Sequence, residues 1–130
     1  MTNGSTIESK RLKPETPPDY DEYHIAFSFR HMAQVRDFSL SSCSKNEKAS
    51  VADKLYMLGQ TTWKQIHREP KEKLGCEMIP VSQLKAKLPS CIEEITKVMV
   101  FRFSEKGRLA GDRERDIFNI IFVAPNHDLY

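Results

Sequence analysis

Val98-Met99-Val100-Phe101-Arg102-Phe103, then Ser-Glu-Lys-Gly-Arg-Leu-Ala-Gly over 104–111, then Ile117-Phe118-Asn119-Ile120-Ile121-Phe122-Val123 is the stretch that decides the fold. Two runs rich in β-branched and aromatic residues flank an arginine-bearing segment that holds a turn signal, the pattern of paired antiparallel strands. Ser104 to Gly107 turns the chain, and Arg108 to Gly111 returns against the first run. Asp112-Arg113-Glu114-Arg115-Asp116 reads as an exposed turn. Ile117 to Val123 is apolar on both faces, which places it centrally in a sheet with helices over one side. His127 and Tyr130 follow that strand.

Upstream, Ile25, Phe27 and Phe29 alternate with Ala26, Ser28 and Arg30, so the segment from Tyr23 to Met32 reads as a half-buried first strand. Ser44-Lys45-Asn46-Glu47 fits a capping box, in which hydroxyl and carboxylate satisfy orphan backbone donors at a helix start. Ala52, Leu55 and Leu58, with Val51 beside them, fall on one face of the helix that follows. Gly59 stands where a left-handed C-terminal residue is wanted, and Thr62 with Gln65 opens a second, short helix through Trp63 and Ile66. Trp63, at helical spacing from Ile66, reads as core rather than as a platform for stacking bases.

The segment 68–96 is punctuated by Pro70, Pro80 and Pro89, and Met78-Ile79 and Ile92-Ile95 fit strand or loop equally well, so an irregular excursion is expected there. Lys64, Arg68, Lys71, Lys73, Lys85 and Lys87, set among Glu69, Glu72 and Glu77, offer a cationic rim; a solvated lysine-bearing surface is the plainer account.

A chain of 130 residues with 39% hydrophobic composition supports one modest core. Residues 1–22 hold Pro14, Pro17 and Pro18 with little to bury and read as a flexible tail, leaving 23–130 as a single α+β domain. The formal charge of +2 divides unevenly, −2 over residues 1–22 and +4 over the remainder. That balance permits an anionic partner without requiring one. Cys43, Cys76 and Cys91 are odd in number and far apart, so three reduced thiols are expected rather than a disulfide framework or a zinc site. No apolar run reaches the length of a membrane span and the first residues hold no signal-peptide core, which points to the cytoplasm and to no membrane partner.

A strand, two helices and then a three- to four-stranded antiparallel sheet with a basic and aromatic ending resembles the RelE and ParE type of toxin from bacterial toxin–antitoxin pairs. The resemblance is carried by Arg108-Leu109-Ala110-Gly111 before the last strand and by the Val123-x-x-x-His127-x-x-Tyr130 ending. It implies a RelE-like fold, RNA or the ribosome as target, a cognate antitoxin as partner, and endoribonuclease chemistry on messenger RNA. In that chemistry the ribose 2′-OH attacks the adjacent phosphate without a metal, and no cofactor is implied.

Such a reaction needs a base for the 2′-OH, cations for the charge gathering on phosphorus, and an acid for the departing 5′-oxygen. Imidazole titrates near ~6.5 in model peptides, which makes His127 the first candidate for proton transfer. Arg102, with Phe101 and Phe103 facing the other way, would aim its fork at phosphate oxygens, or would pair with an acid such as Glu114 or Asp116. Arg108 joins them as a catalytic candidate, and Arg113, Lys106 and Tyr130 as substrate-binding candidates. The terminal carboxylate of Tyr130 would repel RNA, which argues against a catalytic part for that residue. His24, His31 and His67 form no spaced metal set and are assigned nothing.

The competing expectation is a non-catalytic inhibitor or interaction protein of bacterial or phage origin that blocks a host enzyme such as a gyrase, a sliding clamp or an RNA-guided nuclease. No paired catalytic carboxylates, nucleotide-binding loop or metal-ligand motif supports another enzyme class. The two expectations differ geometrically. A nuclease needs His127 and Arg102 on one open face, whereas an inhibitor needs only a contiguous complementary surface.

Overall fold

The apolar runs of the C-terminal third become the middle of a five-stranded sheet in the computed structural model, which describes residues 18–130. The elements are β1 (Ala26–Ser28), α1 (Lys45–Gly59), α2 (Trp63–Ile66), β2 (Cys76–Pro80), β3 (Lys97–Arg102), β4 (Arg108–Glu114) and β5 (Ile117–Ala124). The strand order is β1-β5-β4-β3-β2, with β1 parallel to β5 and every other pair antiparallel. The fold is therefore α+β with one main helix and a mixed sheet. Strands β2 to β5 run antiparallel, and the parallel β1 joins them to make a mixed sheet of five rather than the three- to four-stranded antiparallel sheet expected. The tail expected over residues 1–22 lies, as far as residue 17, outside the described residues; Tyr20–Glu22 form a single 3-10 turn.

Each face of the sheet carries its own core, because strand side chains alternate between faces. Phe118, Ile120 and Val123 of β5, Leu109 of β4 and Met99 and Phe101 of β3 pack under Val51 and Leu58 of α1 and Trp63 and Ile66 of α2. Phe101 and Phe118 meet edge to face with centroids 5.1 Å apart, an arrangement that adds about 0.5–1.5 kcal/mol beyond area burial. The opposite face, with Val98, Val100, Ala110, Phe122 and Ala124, is covered by connecting chain, chiefly Ala33, Phe38, Ile92 and Leu129. Two-sided burial is why β5 reads as a continuous apolar run. It lies inside the sheet as expected, although β4 holds the middle position.

A bulge opposite Ala110 and Gly111 shifts the β4–β5 register, so that Ala110 faces Phe122 and Gly111 faces Ile120. Ile121 is the extra residue. It joins Phe122 on the loop-covered face, and its carbonyl accepts from the Ala33 amide at 2.9 Å. β1 pairs with only Ile117–Asn119 of β5, and beyond the bulge residues 33–38 take over that edge through the Ala33 bond and the Val123 amide to the Phe38 carbonyl at 2.9 Å. The first strand is accordingly three residues rather than ten. Phe29, expected on its buried side, is exposed.

Gly111 sits where β4 and β5 approach closely. A Cβ there would meet the Asn119 backbone carbonyl and the rim of Phe118. Gly111→Ala is expected to cost about 1–3 kcal/mol, the usual range for overpacking a filled core, read as a lower denaturant midpoint with an unchanged m-value.

The local signals of α1 hold. Ser44 accepts from the Glu47 amide at 3.1 Å while the Glu47 carboxylate accepts from the Ser44 amide at 2.7 Å. Its buried face is Val51, Lys54 and Leu58 rather than one that includes Ala52, which is exposed. Lys54 donates to the Lys73 carbonyl at 2.6 Å, and burial pushes its ammonium below the ordinary lysine range. Gly59 ends the helix without a positive φ, and Gln60 is the cap, so no left-handed glycine is used here. The Thr62–Gln65 capping box forms as read but opens only a single turn, not a second full helix.

Two segments differ from their reading. Asp112 to Glu114 are not a turn but the end of β4, paired with Asn119, Phe118 and Ile117, which leaves Arg115 and Asp116 as a two-residue hairpin loop. Arg115 has φ 61°, the positive value that mirror-image hairpin turns require at their first central position. The excursion at 68–96 contains β2, whose five residues pair with β3 from Cys76↔Phe101 to Pro80↔Lys97. Pro80 closes that edge strand, a position where its missing N–H costs no ladder bond.

Candidate functional site

Glu77 is the centre of the arrangement. Its position across from Val100 turns its side chain to the loop-covered face, the face that also takes Arg102 at the end of β3. One carboxylate oxygen lies 3.1 Å from Lys71 Nζ and 4.0 Å from an Arg102 terminal nitrogen. The other accepts from the Tyr130 hydroxyl at 3.5 Å. Tyr130 in turn meets the edge of the His127 ring, with centroids 5.8 Å apart and planes at 83°.

The local chain explains how the tail reaches this point. Leu129 is fully buried in the loop-side core, and its carbonyl accepts from the Lys85 amide at 2.7 Å, so residues on either side are held near the sheet. His127 adopts φ 55° in the turn after β5 and remains exposed. Tyr130 is half-buried against the same core. His127 and Arg102 thus belong to one end of one face, linked through Tyr130 and Glu77. The expected partners of Arg102, Glu114 and Asp116, are not its partners; Glu77 is.

The ion pairs are loose and partly solvated, with Lys71 47% and Arg102 31% exposed at the side chain. Pairs of this kind contribute about 0–1 kcal/mol, so the cluster is a minor part of the fold's stability. Arg102 Nε is buried with no hydrogen-bond partner among the described residues.

The remaining candidates go elsewhere. Arg108 is buried, and its guanidinium donates to the carbonyls of Ser104, Glu105 and Gly107 at 3.4, 3.1 and 2.9 Å, where it braces the β3–β4 turn. Lys106 projects from that turn into solvent. Arg113 faces the helices: its guanidinium lies 4.2 Å above the Trp63 ring and 2.7 Å from an Asp21 carboxylate oxygen. Arg108 thus stands directly across from Arg102 in the β3–β4 register but spends its guanidinium on the turn, while Lys106 and Arg113 lie apart from His127 and Arg102.

Glu77 and its pairing with the C-terminal tail were not legible in the sequence, where Glu77 is one acid in an irregular segment. The nearest signal is the short apolar pair Met78-Ile79 beside it, which fits strand or loop equally well. Set against family models, curated proteins and solved structures, the chain matches none. Among the described residues, no group of three or more His, Cys, Asp or Glu side chains is placed to hold a metal ion. No described helix is long and apolar enough to cross a membrane.

A cavity of about 340 Å³ lies at the far end of β4 on the same face. Asp112, Glu114 and Asn119 form its floor, and His31, Cys91 and Glu94 its rim. Burial first, then the charges of Glu114 and Glu94, push the Asp112 carboxyl above its ordinary range, while His31 opposes them. A carboxyl raised on folding binds more protons folded than unfolded, so it lowers stability as pH rises from the unfolded value through the folded one. Asp112→Asn is therefore expected to raise the unfolding midpoint at pH 7. The gain should vanish below the unfolded carboxylate pKa of about 3.9, as checked by thermal melts across pH.

Proposed function

We propose that this chain is a metal-independent endoribonuclease acting on messenger RNA, with Glu77, His127, Arg102 and Lys71 as its working groups. What supports the reading is one carboxylate and one imidazole, bridged by Tyr130 and set beside two cations, at an open end of the sheet.

The chemistry follows from those groups. Glu77 takes the proton from a ribose 2′-OH, O2′ bonds to phosphorus, the P–O5′ bond breaks, and protonated His127 gives O5′ its proton. The products are a 2′,3′-cyclic phosphate and a free 5′-OH. Arg102 and Lys71 move from Glu77 to the non-bridging oxygens, where charge builds up in the transition state. Tyr130 binds substrate through its hydroxyl or by stacking on a base. Arg108 has no part beyond bracing the turn.

The RelE-like ending adds the setting: RNA on the ribosome as substrate, the cytoplasm as location, and a cognate antitoxin that covers the Glu77 end of the sheet. Inducing the wild type and a His127→Ala, Arg102→Ala double variant in bacteria, with growth followed and RNA 5′ ends mapped, tests this. Growth arrest with new 5′-OH ends, absent in the variant, supports the reading. Arrest without cleavage transfers the function to binding and inhibition of a host protein.

A further inference from the structure

The cavity at the far end of β4 brings together residues that the proposed nuclease chemistry does not use. Cys91 Sγ lies 3.4 Å from His31 Nδ1, although sixty positions separate them. Cys91 is exposed, whereas Cys43 is buried and Cys76 half-buried. Ser90–Ile92 form a 3-10 turn after Pro89, and Ile92 is buried in the core, so the thiol is carried on an anchored segment. His31 sits in the turn closed by the Met32 amide to the Phe29 carbonyl at 3.0 Å.

Glu94, Asp112 and Glu114 line the same cavity. Arg113 also borders the cavity, but its guanidinium is held on the other face of the sheet by Asp21 and Trp63. Asn119, 5% exposed, also lines the cavity and adds a neutral amide to its wall. The open volume, about 340 Å³, suits a small molecule.

We propose that this cavity is a thiol-exchange site, in which Cys91 is the nucleophile, His31 its base, and the carboxylates select a small cationic disulfide of the aminothiol class. The Cys91 thiol gives its proton to His31 Nδ1. The resulting thiolate attacks one sulfur of the disulfide, a new S–S bond forms to Cys91, and the original S–S bond breaks. The departing aminothiolate takes the proton back from the imidazolium. One disulfide is consumed and one mixed disulfide plus one free aminothiol are made, with no other oxidant.

The surrounding charge decides the specificity. The carboxylates lining the cavity draw in a cationic reagent. An anionic disulfide meets the same carboxylates as a barrier. The native full chain is treated separately with cystamine and with glutathione disulfide, and adducts are followed by intact mass and located by peptide mapping. Cystamine is expected to modify Cys91 at least about tenfold faster than glutathione disulfide does, the lower end of electrostatic focusing in a charged cleft. Asp112→Asn with Glu94→Gln should narrow that ratio. His31→Gln should slow the cystamine reaction by at least about tenfold, less than a positioned base can give because a free thiol keeps some thiolate of its own.

Equal rates with the two disulfides, or an unchanged rate in His31→Gln, would show an ordinary surface thiol and overturn the proposal. First modification at Cys43 or Cys76 would do the same. Because the cavity and the Glu77 cluster lie at opposite ends of β4, loss of RNA cleavage in the His127 and Arg102 variant leaves this test unaffected.

Discussion

Under the proposed ribonuclease chemistry, replacing Glu77 with glutamine should lower the rate of RNA cleavage by roughly 10²- to 10⁴-fold, the usual contribution of a positioned proton acceptor. Glutamine keeps the shape of the side chain and a carbonyl oxygen for the Tyr130 hydroxyl, but it accepts no proton from a 2′-OH. It also frees Lys71 and Arg102 from the carboxylate that now lies 3.1 and 4.0 Å away. Affinity for RNA should therefore hold or rise while cleavage falls, with a stability loss of about 0–1 kcal/mol, the range of partly solvated ion pairs. Single-turnover cleavage of a short labelled RNA, paired with fluorescence anisotropy, separates the two effects. Cleavage at the wild-type rate in Glu77→Gln would remove Glu77 from the mechanism, and weaker binding with unchanged chemistry would leave it a positioning residue.

Trp63→Ala should be among the most damaging single changes to the fold. Trp63 is fully buried at the start of α2, its indole N–H donates to the Asp116 carbonyl at 2.9 Å, and the Arg113 guanidinium lies over its ring. Truncation leaves a cavity and an arginine without its platform, and the Asp116 carbonyl keeps only the Ala26 amide as donor, at 3.0 Å. Losses of this kind total about 3–5 kcal/mol. For a domain of this size that is a fall in midpoint of well over about 10 °C. Trp63→Phe, which keeps one aromatic ring and leaves a smaller cavity but loses the indole donor, should cost distinctly less. Equal losses in the two variants would place the energy in the hydrogen bond rather than in packing.

Local rules carried much of the chain. The two capping boxes, the 98–103 strand with its 104–107 turn and the doubly apolar β5 depend on residues within a few positions of one another, and each forms where its pattern lies. The opposite sidedness of Arg102 and its phenylalanine neighbours follows from period two alone. Short pieces failed where long-range pairing decides. Five residues ending in Pro80 fit strand or loop equally well until β3 lies beside them, and β1 stops after three because the bulge at Ile121 passes its edge to residues 33–38. Asp112 to Glu114 look like a turn by charge, yet the loop-side cavity and the Trp63 face accommodate them as strand.

Local periodicity and turn chemistry suffice for an α+β fold built on the hairpin of the C-terminal third, with His127 and Tyr130 beyond its last strand. Which polar groups meet is set by contacts between distant segments. Glu77 and Tyr130, fifty-three positions apart, and His31 and Cys91, sixty apart, come together through strand register and loop packing, and no local preference of either residue encodes that contact.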